Sequence, residues 1–370
     1  MYPYSMKNVA TLTIFALFVS TFCTAQNTYN YSQPKNLKDG WKTNHLKSQN
    51  IDSTLIFKLF NKLQIKDHEI HSILLVKSNQ LIIEEYFGEN SENNQHDLRS
   101  VTKSITSILM GIAVDRGLIE SINDPISKYL KNLVPTKNLD ERKKEITIKH
   151  LLTMSTGLDC NDWDKKSKGR EDKIYKKSNW LHYFLNLPMV NAPGNVSNYC
   201  TMGQILATEI ISQASGMTID KFAEKHVFNP LNITNVSWGH TSSKKIISSG
   251  KRLYMTSRDM AKIGQLILNK GKWNDKQIVA EKWVEESITP KTKITGIDYG
   301  YLWWNIPFKL NAKTINSIAA TGNGGQYIII IPSMDLVAVF TGGAYNSQKD
   351  KLPFAIINDI FLPTFANEKQ

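Results

Sequence analysis

Cysteine is scarce in this chain. Three occur in 370 residues, at positions 23, 160 and 200, with no Cys-x-x-Cys spacing. That excludes a small disulfide-stapled scaffold and a cysteine zinc array. His68-Glu-Ile-His71 lacks the His-Glu-x-x-His spacing of a zinc helix, so it is read as the border of a strand. Long apolar runs are lacking too. The one uninterrupted stretch, Val9 to Phe22, is shorter than the roughly 20 residues of a spanning helix. There is no internal repeat, no low-complexity tract and no Gly-Lys-Ser/Thr phosphate-loop ending.

What is present is globular. Hydrophobic residues make up 41% and charged residues 21%, which excludes wholesale disorder. At about 100–200 residues per domain, the length suggests two domains or one fold with two lobes. The formal charge of +12 raises nucleic acid or an anionic polymer as partners. However, the basic residues are scattered. The densest run, Lys165 to Lys177, is interrupted by Glu171 and Asp172 and reads as a solvated loop.

The N-terminus reads as a secretory signal peptide over residues 1–25. Lys7 is followed by the apolar run, and Cys23-Thr24-Ala25 offers a small residue for cleavage. Lipid attachment at Cys23 and a retained anchor are the alternatives. Phe22 is bulky where lipid-attachment signals want a small residue. The expected location is therefore secreted or periplasmic, which argues against nucleic acid as a partner.

Ser53–Leu63 has apolar residues at helical spacing behind an Asp52/Ser53 cap. Ser72–Lys77 and Leu81–Phe87, joined by Ser78-Asn79-Gln80, read as a β-hairpin. A helix is expected from Ser100 to Arg116 and ends at Gly117. Tyr327–Ile331 and Leu336–Thr341 read as buried strands, and a last helix as Lys351–Phe361. Strands at both ends thus enclose a helical middle. The expected fold class is α+β: an antiparallel sheet flanked by terminal helices, with a mostly helical lobe inserted. Residues 26–117 and 295–370 would form the α/β lobe, and residues 118–294 the helical one.

Ser-x-x-Lys occurs at Ser32, Ser100, Ser242 and Ser248, so the motif alone is weak. Only Ser100 opens an apolar helix, with Ile105, Leu109, Ile112 and Ala113 at turn spacing. One helical turn brings Lys103 to the Ser100 hydroxyl. The helix dipole favours developing negative charge there, and a desolvated lysine can act as base. The bland alternative is an N-cap serine beside a solvent-facing lysine. Tyr199 lies in the turn-rich stretch Pro193–Thr201, just before a helix from about Met202 to Ala214. Tyr-x-Thr/Ser also occurs at Tyr254 and Tyr345, but loops ahead of helices present side chains into clefts. Ala319-Ala-Thr-Gly322-Asn-Gly-Gly-Gln326 lets a substrate backbone approach and frees an amide for an oxyanion. A plain tight turn is its alternative. Trp303-Trp304 fits either a pocket wall or the core.

Together these residues resemble the penicillin-recognising serine hydrolases with a β-lactamase/transpeptidase-like fold. The likeness is strongest to the class C β-lactamase-like branch that includes esterases, D-amino-acid peptidases and 6-aminohexanoate-dimer hydrolases. It covers about residues 50 to 365, in the family's order. Ser100-Val-Thr-Lys103 matches the nucleophile helix, Ile146–Leu158 the structural helix and turn, and Tyr199-Cys-Thr201 the second motif. Asn229-Pro-Leu-Asn232, Ser257–Gly264, Tyr299–Trp304 and Gly322–Gln326 are similar to later signatures.

The resemblance implies attack by Ser100, with Lys103 and Tyr199 as general base and acid. It also implies an oxyanion held near the Ser100 and Ala320 amides, with Gly322 alongside and Thr201 orienting Lys103 or the substrate. No cofactor and no metal are expected. One departure bears on the substrate. The penicillin-directed members carry Lys-Thr/Ser-Gly on the strand beside the nucleophile, whereas this chain has Ser317-Ile-Ala-Ala-Thr, with Lys313 upstream. A small or peptide-like ester or amide is therefore expected rather than a β-lactam. A catalytically silent module bound to cell-wall polymer, or acting as a sensor, is the alternative. Cys160 and Cys200 are either paired or free, and the oligomeric state is open.

Overall fold

The computed structural model describes residues 29–239 and 252–366. The expected signal peptide, including Cys23, lies outside the described residues, as do Ser242 and Ser248. Among the described residues no helix is long and apolar enough to cross a membrane.

The expected hairpin is Ile70–Lys77 paired with Gln80–Tyr86. Ser78 and Asn79 both have positive φ, at 50° and 60°, the backbone of a two-residue turn that matches strand twist. These strands join a nine-stranded sheet. Its order is Lys42–Thr43, Gln80–Tyr86, Ile70–Lys77, Leu336–Gly342, Gln326–Ile331, Lys313–Gly322, Trp304–Leu310, Ile297–Tyr299 and Thr292–Ile294. Every neighbouring pair is antiparallel except the first, which is parallel. The two ends of the chain therefore share one sheet.

Gln326–Ile331 and Leu336–Gly342 are buried throughout because both faces of the sheet are covered. Helix Ser257–Leu268 covers one face so closely that a Cβ on Gly264 would sit 2.5 Å from Val337 Cγ1. Helix Thr54–Ile65 and the C-terminal helical turns cover the other, where Phe340 stacks on Phe361 and Tyr327 meets Phe354 edge-on. The last helix is divided into Leu352–Ile356, a wider turn Ile357–Phe361 and Leu362–Ala366. Helix Ser257–Leu268 falls within the stretch expected to build the helical lobe, yet it packs on the sheet. Its wholly buried residues Arg258–Ile267 reflect that position.

The remaining middle is built of short helices and loops around helix Thr201–Ser215, which ends at Gly216 with a φ of 67°. A three-stranded sheet of His96–Asp97, Leu253–Met255 and Val236–Trp238 adjoins it. Helix Val101–Asp115 runs between the two parts and packs against helix Thr201–Ser215 and strand Lys313–Gly322. Its residues from Val101 to Ala113 are all buried, the polar Thr102, Lys103, Ser104, Thr106 and Ser107 among them. Gly111 is required there, since a Cβ would fall 2.2 Å from the Trp283 ring.

Candidate active site

Ser100 stands at the N-cap of this central helix. The residue before it, Arg99, takes a left-handed φ of 49°. An ion pair to Asp97 at 3.0 Å holds it, and its guanidinium lies 4.6 Å from the centre of the Tyr345 ring. One turn on, Lys103 is 3% exposed. Its Nζ donates to Ser100 Oγ at 3.0 Å and to Thr201 Oγ1 at 3.0 Å. The solvent-facing lysine of the bland alternative is thus not what the fold contains.

Tyr199 and Thr201 reach this helix from a loop laid on another loop. Asn198 N–H donates to Met154 O, Gly194 N–H to Ser155 O, and Val190 N–H to Gly157 O. Met154 and Gly157 have φ of 56° and 78°. Gly157 is needed because a Cβ there would meet Asn191 O at 2.3 Å. Cys160 is bonded to Cys200, which resolves the open pairing. Lys103 Nζ lies 4.9 Å from the centre of the Tyr199 ring, a cation over an aromatic face.

Asp162 is a site residue that the sequence reading did not find. Its Oδ2 accepts from both Thr201 Oγ1 and Thr201 N–H at 2.7 Å, and its Oδ1 accepts from Glu171 N–H at 2.9 Å. Burial raises its pKa above the usual carboxylate value, while Lys103 and the Thr201 hydrogen bonds pull it down. The available signal was the cysteine pair. Asp162 lies just past Cys160 and Thr201 just past Cys200, so joining the sulfurs brings the two together.

A cleft of about 430 Å³ opens above Ser100, with Tyr199, Trp304, Trp163 and the end of strand Lys313–Gly322 as walls. Trp163 stacks on Tyr199 at 4.7 Å between centroids with planes 3° apart, and Trp304 lies on Tyr199 at 5.9 Å and 20°. Of the Trp303-Trp304 pair, Trp303 belongs to the core and Trp304 to the cleft. Ala320 is buried, and Thr321 to Asn323 reach the cleft surface. Pairing with strand Trp304–Leu310 stops at Ala319, so residues 320–322 run on past their last partner on that edge. This is the backbone that an oxyanion amide requires. Gly322 permits the approach, for a Cβ there would lie 2.4 Å from Leu98 O in the segment before Ser100. Thr201 does not line the cleft. Its hydroxyl is engaged by Lys103 and Asp162. A larger cleft of about 490 Å³ lies beside Trp41, Asn79 and Trp273, and its lining includes no serine.

Helix Val101–Asp115, with Ser100 at its cap and Lys103 in its first turn, thus packs on the antiparallel sheet and faces the loop of Tyr199. The Beta-lactamase family model matches residues 68–355, so the chain belongs to that family. Among its relatives, an uncharacterised protein of Alkalihalophilus pseudofirmus is 24% identical over 83% of this chain and 93% of its own length. The 6-aminohexanoate-dimer hydrolase of Paenarthrobacter ureafaciens is 18% identical over 72% of this chain and 71% of its own. The octameric penicillin-binding protein homologue from Pyrococcus abyssi superposes with a TM-score of 0.65 at 18% identity, covering 85% of this chain and 78% of that one. The expected β-lactamase/transpeptidase-like fold is the one observed, and the family relates the chain to hydrolases.

Proposed function

We propose that this protein is a serine hydrolase that cleaves an ester or amide bond through an acyl-enzyme on Ser100. The observation that carries this reading is the buried Lys103 amine at 3.0 Å from the Ser100 hydroxyl, at the base of an open cleft. In its neutral form Lys103 takes the hydroxyl proton as Ser100 Oγ bonds to the substrate carbonyl carbon. The carbonyl oxygen turns into the Ser100 and Ala320 amides, with Gly322 giving the room. Tyr199 passes a proton to the departing alcohol or amine as the bond to carbon breaks. Water then attacks the acyl carbon, its proton taken by the deprotonated Tyr199, and as the bond to Ser100 Oγ breaks Lys103 returns its proton to that oxygen, which regenerates both residues.

The lining of the cleft supports a neutral or amine-bearing substrate. Asp162, Glu171 and Asp350 face it against Lys351, and the strand leading to Gly322 offers Ser317-Ile-Ala-Ala-Thr where the penicillin-directed members carry Lys-Thr/Ser-Gly. The name of the 6-aminohexanoate-dimer hydrolase relative fits the amine-bearing alternative, since such a dimer is an amide with a free amine at one end and a carboxylate at the other. Export through residues 1–25 belongs to the same proposal, and a bridge between Cys160 and Cys200 suits an oxidising compartment. Mass spectrometry after a fluorophosphonate probe is expected to find one adduct, on Ser100, and none in Ser100→Ala. Labelling that persists in the variant overturns the assignment. A panel of p-nitrophenyl esters, aminohexanoate oligomers, D-alanyl peptides and nitrocefin then ranks substrates, nitrocefin being expected last.

A further inference from the structure

A general base works only if its lone pair points at the proton it must take. Lys103 alone does not guarantee this, because an amine rotates freely about its last carbon–nitrogen bond. Thr201 could fix it, but a hydroxyl is ambiguous: it can give its one proton to the amine or accept from it. Asp162 removes the ambiguity. An ionised carboxylate only accepts, and its Oδ2 lies 2.7 Å from Thr201 Oγ1. With that proton committed to Asp162, Thr201 Oγ1 must accept from Lys103, at 3.0 Å. One amine hydrogen is thereby tied, and the lone pair of a neutral amine is left to turn toward Ser100 Oγ.

We propose that Asp162 is a positioning residue for Lys103, acting through Thr201. The inference rests on the serine-hydrolase reading above and adds a residue to it. Three features support the geometry. The carboxylate accepts three hydrogen bonds, two from Thr201 and one from Glu171 N–H. It lies at the N-terminus of helix Thr201–Ser215, where Cys200 makes no side-chain cap of its own and negative charge is favoured. The Cys160–Cys200 bridge ties the two loops within two residues of Asp162 on one side and next to Thr201 on the other. Around Asp162 the charged or titratable groups are Lys103, Glu171, Arg170 and Tyr175, with Arg252 3.9 Å from Glu171. Around Lys103 they are Asp162 and Tyr199.

The plain alternative is that Asp162 only caps a helix, and the two roles separate in a pH profile. Acylation by an activated p-nitrophenyl ester is measured against pH in wild type, Asp162→Asn, Thr201→Ser and Thr201→Val. Rates are divided by the fraction of Ser100 that a fluorophosphonate titrates, which removes misfolded protein. Asp162→Asn keeps an acceptor for Thr201, but an amide can also donate, so it no longer fixes which way the Thr201 proton points. The plateau of the profile is therefore expected to fall by about threefold with KM little changed. Thr201→Val is expected to lower the plateau by about tenfold or more with KM little changed, and Thr201→Ser to stay near wild type. Normalised profiles of Asp162→Asn and Thr201→Val that superimpose on wild type, even with lowered melting temperatures, overturn the proposal. A rise in KM alone also overturns it, by making Asp162 a substrate contact. Wild-type protein that never forms a Ser100 adduct overturns the hydrolase reading itself, a distinguishable result.

Discussion

Ser100 and Lys103 are held differently from Tyr199, Thr201 and Asp162. The first pair stands on one turn of a helix buried on every side, so its spacing is local and the core fixes it. In the second group Tyr199 and Asp162 sit on loops and Thr201 opens helix Thr201–Ser215, and their positions depend on backbone hydrogen bonds, positive-φ turns and a disulfide. One half of the site is thus as stable as the core. The other is held by a few cross-links, and its aromatic cover, Trp163, is exposed. In the proposed reaction the nucleophile and base sit on the helix, and Trp163, Tyr199 and Asp162, which shape the cleft, sit on loops.

This contrast can be tested in order of expected effect. Replacing both Cys160 and Cys200 by Ser opens a loop with a sequence separation of 40. That is expected to cost about 2–4 kcal/mol in denaturant unfolding, with a steep fall in turnover while the Ser100 helix persists by circular dichroism. If turnover survives at the wild-type level, the loop half is not held by its bridge. Lys103→Ala is expected to slow acylation by about 10²-fold, about 2.7 kcal/mol of barrier. A stopped-flow burst measurement should show this without a matching loss of melting temperature. Gly322→Ala forces strand Lys313–Gly322 away from Leu98 O, for about 1–3 kcal/mol of stability. Its turnover should fall with it, since the open edge at residues 320–322 moves. Trp163→Ala removes the stack on Tyr199, worth about 1 kcal/mol, and should raise KM by roughly fivefold with kcat nearly unchanged. If kcat falls more than KM rises, Trp163 orders Tyr199 itself.

Much of the fold was legible because its signals are local. The hairpin Ile70–Tyr86, the helix beginning after Ser100 and the strands Gln326–Ile331 and Leu336–Gly342 follow from apolar runs and turn residues in contiguous sequence. Helix Ser257–Leu268 was misplaced because an amphipathic pattern states that a face is buried and not against what. The split of the last helix has its signal in Pro363, which has no N–H to continue the ladder and stands just past the wide turn Ile357–Phe361. Asp162 stayed hidden because it is one of three aspartates, with Asp159 and Asp164, ahead of a basic run, and looks like a solvated charge until the chain returns to it from 39 residues further on.

The sequence by itself determined the serine–lysine pair, since helical periodicity alone sets residues i and i+3 side by side. It also determined the family, through motifs in a fixed order, and the absence of a cation from Ser317 to Thr321. Only the tertiary structure decided that Cys160 meets Cys200, that Trp304 rather than Trp303 faces the cleft, and that Asp162 stands behind Thr201 and Lys103. Those are contacts between segments distant in sequence. They form only when the core has closed and the entropy of ordering the loops has been offset by burial and hydrogen bonding.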